Sequence, residues 1–396
     1  MHAAGEGRLY AIDVLRFFAA VLVVATHWIG AGVVGIVTPT WLHPWGAPTT
    51  TLFPKTLHEV SSYGWLGVQL FFLISGFVIC MSSWGRSLGE FARSRMTRLM
   101  PAYWFAVVIT AVIVMAVPAV GWTWRTPHAM SYLLSNLTMV QSAYGVPYLD
   151  SSYWTLWTEL IFYLIFAIVV AWGLTYRRAV LFCALWTVVA LVASSTGDKV
   201  LTLLAQPSSE PYFVAGICFY LIYRFGPNIL VWGIIGVSYL SALQLIDGDR
   251  EAESGVMCWQ IPWWSVAVVL TCFYAVMALV ALGKLNWVRW KWLSTLGALT
   301  YPVYLLHQDI GFTAISRLHK HIQPLPLVAL LFVALIVGCW GVNRWIERPL
   351  SAWLRKQIDR GLTSIRQADT PRARHTPILR QRTPLPAEPP ETTRVQ

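Results

Sequence analysis

The sequence predicts an all-α, polytopic membrane protein of about ten transmembrane helices with both termini in the cytosol. Three observations carry this expectation. Of the 396 residues, 57% are hydrophobic and only 12% charged, with a mean hydropathy of +0.57; a soluble domain carries about twice that charged fraction. Apolar runs near the length that spans a bilayer core recur along the chain, at 15–36, 101–120, 154–172, 263–282 and 326–340. The basic residues, finally, fall unequally between alternate loops.

Taken in order, the expected spans are 9–36, 60–83, 100–120, 151–172, 179–196, 211–224, 228–246, 262–282, 293–313 and 326–345. The first begins close to Met1 but no cleavage site follows it, so it reads as a retained helix rather than a signal peptide. With a cytosolic N-terminus, the cytosolic segments before the tail carry fifteen Lys and Arg, from Arg8 to Lys356, against six on the far side, where Asp247, Asp249, Glu251 and Glu253 also lie. That asymmetry sets the orientation. It also places the formal charge of +11 in short loops rather than on one face of a domain, which argues against nucleic-acid binding. The far-side segment 121–150 mixes Trp122, Trp124, Tyr132, Tyr144 and Tyr148 with polar residues, as an interfacial belt or an aromatic platform for a sugar-like substrate would. The six cysteines show no metal or disulfide spacing and read as small apolar side chains, and no metal is expected. Residues 1–350 form the expected transmembrane domain. Residues 351–396 form a cytosolic tail, rich in Pro, Thr, Arg and Gln after about Leu362, that buries too little apolar surface to fold alone and is expected to be disordered.

Several ionisable residues interrupt the spans, where they are costly and usually face the protein interior. The first span holds Asp13, Arg16 and His27. Asp13 and Arg16, three apart, share a helix face. Arg16 and His27 are eleven apart, close to three turns, so they project to one side about 16 Å apart along the axis. Arg16 can equally snorkel to the interface; His27 lies too deep for that. Glu159 forms an i, i+4, i+8 stripe with Thr155 and Tyr163 and serves either to lock helices or to do chemistry. Tyr304 and His307 share a face in the ninth span, as interface anchors or as part of a site. In the loop before the third span, Arg93, Arg95 and Arg98 are followed by Pro101 and Tyr103. Arg95 and Arg98 are spaced to converge on a phosphate, such as that of coenzyme A, although topology alone accounts for basic residues here.

These residues fall into ordered motifs, and through them the chain resembles the acyltransferase-3 family of integral membrane O-acyltransferases. The resemblance runs from Leu9 to Pro349. It comprises Arg16 with His27 eleven residues on, Gly67-Val68-Gln69-Leu70-Phe71-Phe72-Leu73-Ile74-Ser75-Gly76-Phe77, Arg95-x-x-Arg98-x-x-Pro101-x-Tyr103, Trp154-x-Leu156-x-x-Glu159-x-x-Phe162-Tyr163, Leu296-Gly297 through Tyr301, Tyr304 and His307, and Glu347-Arg348-Pro349. Thr300 stands where the family commonly has Ser, and it keeps the hydroxyl. Some relatives carry an extra extracytoplasmic esterase-like domain; this chain looks like the stand-alone form.

The resemblance implies a multi-pass protein of a bacterial inner membrane that transfers an acyl group, usually acetyl from acetyl-CoA. The implied acceptor is a hydroxyl of a cell-surface polysaccharide or its lipid-linked precursor, or of a secreted small molecule such as a macrolide. His27, Arg16 and Glu159 are the expected catalytic residues, with Asp13, Tyr163, Tyr304 and His307 in support and Arg95, Arg98 and Tyr103 at the donor. His27 acts as general base or carries the acetyl group itself, Glu159 orients its imidazole or shares its proton, and Arg16 stabilises the thioester oxygen or holds the donor. A transporter using the same charges as a substrate path is the competing reading, favoured only by discontinuous helices around a midplane site.

Overall fold

Inside a bilayer no water reaches the backbone N–H and C=O groups, and a helix satisfies them within its own segment. The computed structural model, which describes residues 9–31, 44–116 and 129–369, is accordingly helical, with no strand among the described residues. Among the described residues, eight helices are long and apolar enough to cross a membrane. They are α1 (Tyr10–Ala25, extended by a π-helical turn, Thr26–Gly30), α4 (Gly67–Ser83, preceded by the short α2, Thr49–Leu52, and α3, Lys55–Ser61), α5 (Leu88–Ala116), α7 (Trp154–Ala171), α8 (Tyr176–Thr196), α11 (Ile229–Val256), α12 (Trp263–Ala281) and α15 (Pro324–Val342) with the segment that follows it. Two further expected spans correspond to shorter helices, α10 (Glu210–Phe225) and α13 (Leu293–Leu306). Between these lie the short α6 (Ala129–Leu137), α9 (Lys199–Ala205) and α14 (Gln308–Leu318).

At 16 residues, roughly 24 Å, α10 falls short of a full bilayer core. It is instead the centre of the bundle. Every residue from Glu210 to Ile222 is buried, the pattern of a helix apolar on all sides. Its tightest partner is α4. A Cβ on Gly76 would collide with the Phe213 carbonyl, and one on Gly216 with the Leu73 carbonyl, so the two backbones touch where both lack a side chain. Beside this crossing the Phe213 ring stacks on Phe162 of α7 at 4.2 Å, and Phe162 lies parallel to Trp186 of α8 at 5.6 Å.

Two expectations need correction. Arg93, Arg95 and Arg98 are not in a loop, because α5 begins at Leu88. Ser87 and Glu90 start it with reciprocal bonds, Ser87 N to Glu90 Oε2 at 2.9 Å and Glu90 N to Ser87 Oγ at 3.4 Å, a capping box that extends the helix before the apolar run. Nor is the tail irregular from residue 351. After a π-helical turn, Asn343–Glu347, helix α16 runs from Arg348 to Asp369, its polar and apolar residues alternating with helical period. The chain divides into two units at residues 355 and 356. Residues 370–396, and with them the Pro-rich part of the tail, lie outside the described residues, as do Trp122 and Trp124. All six cysteines are free.

The α4–α10 contact yields a stability prediction. Gly216→Ala should cost about 1–3 kcal/mol or more through overpacking. Gly233→Ala on α11, where a Cβ meets nothing within 4 Å, should be neutral or stabilising by up to about 1 kcal/mol. Thermal unfolding of the two variants in detergent measures the difference; equal midpoints would mean that the close approach does not exist.

Candidate active site

Two histidines from opposite ends of the sequence meet. His27 sits in the π-helical turn that ends α1, a turn closed by the bond from Ala31 N to Thr26 O at 2.6 Å; such turns re-aim side chains and gather at functional sites. His307 separates α13 from α14 and is fully buried. His307 Nδ1 lies 2.7 Å from the Tyr304 carbonyl and its Nε2 lies 3.0 Å from His27 Nδ1, which also lies 2.9 Å from the Val23 carbonyl. A carbonyl only accepts, so in neutral His307 the proton is on Nδ1 and Nε2 is an acceptor. His27 Nδ1 must then carry its own proton, shared between His307 Nε2 and Val23 O. The lone pair of His27 is left on Nε2, and the imidazole is half-buried. Trp28 fixes the meeting point, its indole N–H donating to the His307 carbonyl at 3.0 Å, and Trp45 in turn donates to the Trp28 carbonyl at 2.9 Å.

Next to the pair is an open cavity enclosing about 480 Å³, lined by Arg16, Phe71, Ser75, Thr155, Glu159 and Tyr304 among others. Arg16 lies within electrostatic reach of Arg98, Glu159, Asp13 and Tyr163. Glu159 accepts a hydrogen bond from Ser75 of α4 at 2.8 Å. Tyr304 donates to the Ser152 carbonyl at 3.0 Å and meets Thr155 Oγ1 at 2.8 Å, and its ring packs edge-on against Phe71 at 5.5 Å. A polar path thus runs from Arg16 past Glu159 and Ser75 to Thr155, Tyr304 and the histidines. Asp13 is buried on α1, against Gly297 of α13, where any side chain would collide with its carboxylate. Asp150, just ahead of α7, accepts from Ser152 N at 2.9 Å and from Asp309 N at 3.1 Å, tying α7 to α14; burial pushes its carboxyl up to about 6, against the effect of these bonds.

The expected site residues therefore separate into groups. His27, His307 and Tyr304 come together, as do Arg16, Glu159, Asp13 and Tyr163. Glu159 bonds to Ser75; the partners of the His27 ring are His307 and Val23, and no bond between Glu159 and His27 occurs among the described residues. Arg95 is buried, donates to Ser82 Oγ at 2.7 Å and lies over the Tyr163 ring at 5.9 Å. Arg98 is exposed and within electrostatic reach of Arg16 and Glu347. Tyr103 is fully buried and donates to the Asn136 carbonyl at 2.6 Å, holding α6 against α5, so its hydroxyl is occupied away from these arginines. Tyr132 likewise donates to the Tyr148 carbonyl at 2.9 Å. Sequence reasoning did not single out Ser75 as a site residue; its signal was a hydroxyl inside the apolar run Leu70–Phe77.

A family model described as an acyltransferase domain matches residues 9–344, and the chain belongs to this acyltransferase-3 family: it is a multi-pass membrane acyltransferase. No curated protein and no solved structure matches it.

Tyr304→Phe removes the bond to the Ser152 carbonyl but keeps the ring against Phe71. It should lower unfolding free energy by about 0.5–1.5 kcal/mol, read by chemical or thermal unfolding in detergent; no loss would mean that water or Thr155 replaces the hydroxyl fully.

Proposed function

We propose that this acyltransferase moves an acyl group, acetyl in the simplest case, from cytosolic acyl-CoA to a hydroxyl of a cell-surface polysaccharide or its lipid-linked precursor, in a bacterial inner membrane with both its termini in the cytosol. The observation that carries the reading is the His27–His307 pair. It leaves one ring nitrogen, His27 Nε2, with a lone pair on a half-buried imidazole, as a base for a hydroxyl needs. The acceptor O–H gives its proton to Nε2 while its oxygen attacks the thioester carbonyl carbon. The C–O bond forms, the C–S bond breaks, and the coenzyme thiolate takes the proton from the imidazolium. His307 acts through His27: its Nε2 accepts the Nδ1–H and steadies the charge that His27 gains.

Arg16 is about 16 Å from His27 along the helix axis, too far for both to reach one carbonyl. Its place is therefore at the donor, together with Arg98 at the cytosolic end, with Glu159 offsetting the concentration of positive charge and Ser75 fixing the carboxylate. Arg95, bonded to Ser82 and packed on Tyr163, positions this wall.

His27→Ala should lower product formation by about a hundred- to ten-thousand-fold, and His27→Gln should fold but remain inactive. His307→Gln, whose amide oxygen can still accept from His27 Nδ1, should retain far more activity than His307→Ala. Mass spectrometry of surface glycans and secreted metabolites, from cells expressing each variant at matched levels, reads the outcome and also identifies the acceptor. His27→Ala product above about a tenth of wild type lies outside the general-base range and would move the chemistry elsewhere. For the topology, a reporter active only in the cytosol should be active when fused after Leu362; activity of a reporter that works only outside it would reverse the orientation.

A further inference from the structure

The cavity of about 480 Å³ is layered along its length, and α4 and α13 repeat the same order. Positions 68, 71, 72 and 75 of α4 line it, spaced as one helix face. Ser75 bonds Glu159 at 2.8 Å. Phe71, about one turn away, packs edge-on against Tyr304 at 5.5 Å. Gly67, a further turn on, lies against α1, where a Cβ would meet the Ala19 carbonyl and the Val23 side chain. On α13 the order is Thr300 and Tyr301, then Tyr304, then His307, with the Tyr304 and His307 rings 5.7 Å apart. Both helices thus pass from the charged groups to an aromatic layer and on to the histidines. Among the described residues the cavity lining includes Phe71 and Tyr304 but neither His27 nor His307.

The two rings of this layer are held differently. The Tyr304 hydroxyl donates to the Ser152 carbonyl at 3.0 Å and meets Thr155 Oγ1 at 2.8 Å, so turning the ring aside would strand a buried polar group. Phe71 is half-buried and held by contact alone. With Tyr304 fixed, the size of the side chain at position 71 decides how much room the layer leaves. A thioester carbonyl that reaches His27 brings its acyl chain into this layer, and the Phe71 ring fills the space that further methylenes would need. A close-packed interior does not give way to them without cost.

We propose that Phe71 sets the acyl-chain length of the donor, admitting an acetyl group beside Tyr304 and excluding butyryl and longer chains. The proposal rests on the reading that the donor is acyl-CoA with its acyl end toward His27. Its signature is the ratio of affinities for two donors, which a residue that only packs the bundle does not change.

Acetyl-CoA and butyryl-CoA are titrated calorimetrically into the full chain in nanodiscs of neutral lipid, with the heats from empty nanodiscs subtracted, and the titrations are repeated with Phe71→Ala and Phe71→Leu. Wild type should bind butyryl-CoA about tenfold or more weakly than acetyl-CoA, the penalty for methylenes that a pocket cannot hold. Phe71→Ala should reverse the order, binding butyryl-CoA about tenfold tighter than acetyl-CoA as two methylenes are buried where the ring was. Phe71→Leu, which keeps most of the apolar bulk and with it the fold, should lie between them, and it decides the outcome if Phe71→Ala does not fold. Equal wild-type affinities for the two donors would overturn the proposal while leaving the donor reading intact. Variants that weaken both donors by one factor and keep the wild-type ratio would overturn it too and make Phe71 a packing residue. Wild type that binds neither acyl-CoA would remove the donor reading and this proposal together.

Discussion

A polar group carried into a bilayer by a helix has no water to return to, so it must find its partner on the same helix or on another one. That constraint organises the bundle around its long-range polar contacts. Ser75 of α4 reaches Glu159 of α7, Tyr304 of α13 reaches the turn before α7, and Trp28 of the first helix reaches the carbonyl of His307, 279 positions away in sequence. Each bond fixes a pair of helices at one height and rotation, which apolar side chains sliding against lipid-like neighbours do not do. The glycine crossing of α4 and α10 supplies the rigid centre from which these contacts extend.

The same constraint produces a site with a division of labour. Arg16 and Glu159 line the cavity, and Tyr304 links its wall to the histidines, its ring 5.7 Å from that of His307. The stretch between the charged pair and the histidines is bridged by hydroxyl groups from α4, α7 and α13 rather than by charges. In the proposed reading, a thioester donor places its charged portion among the arginines and its uncharged acyl end toward His27. Preorganised polar groups act more strongly there than in water. The three arginines of the α5 N-terminal region illustrate how closely spaced residues divide: Arg95 turns inward and braces Tyr163, Arg98 is exposed within electrostatic reach of Arg16, and Arg93 lines a second cavity.

Much of this was determined by the sequence itself. Spans of apolar residues near bilayer length dictate helices because only internally bonded backbone is tolerated there: among the described residues eight of the ten expected spans contain a helix long and apolar enough to cross, while the other two fall on the short α10 and on α13 and α14, divided at His307. The cost of an ionisable side chain in such a span singles out Arg16, His27 and Glu159 without any coordinates, and the ordered motifs state the family. What only the tertiary structure decided was pairing. Helical periodicity relates residues on one helix and says nothing of which helices touch, so neither the bond from Ser75 to Glu159 nor the meeting of His307 with His27 is legible in it. Tyr103 shows the same limit: its motif places it beside the arginines, but its hydroxyl is drawn off by the carbonyl of Asn136, thirty-three positions later. The start of α5 was missed for a local reason, because a Ser87–Glu90 cap carries the helix through residues that hydropathy alone reads as loop. Hydrogen bonds between helices depend on distances that a one-dimensional pattern does not contain, and in this bundle those bonds define the site.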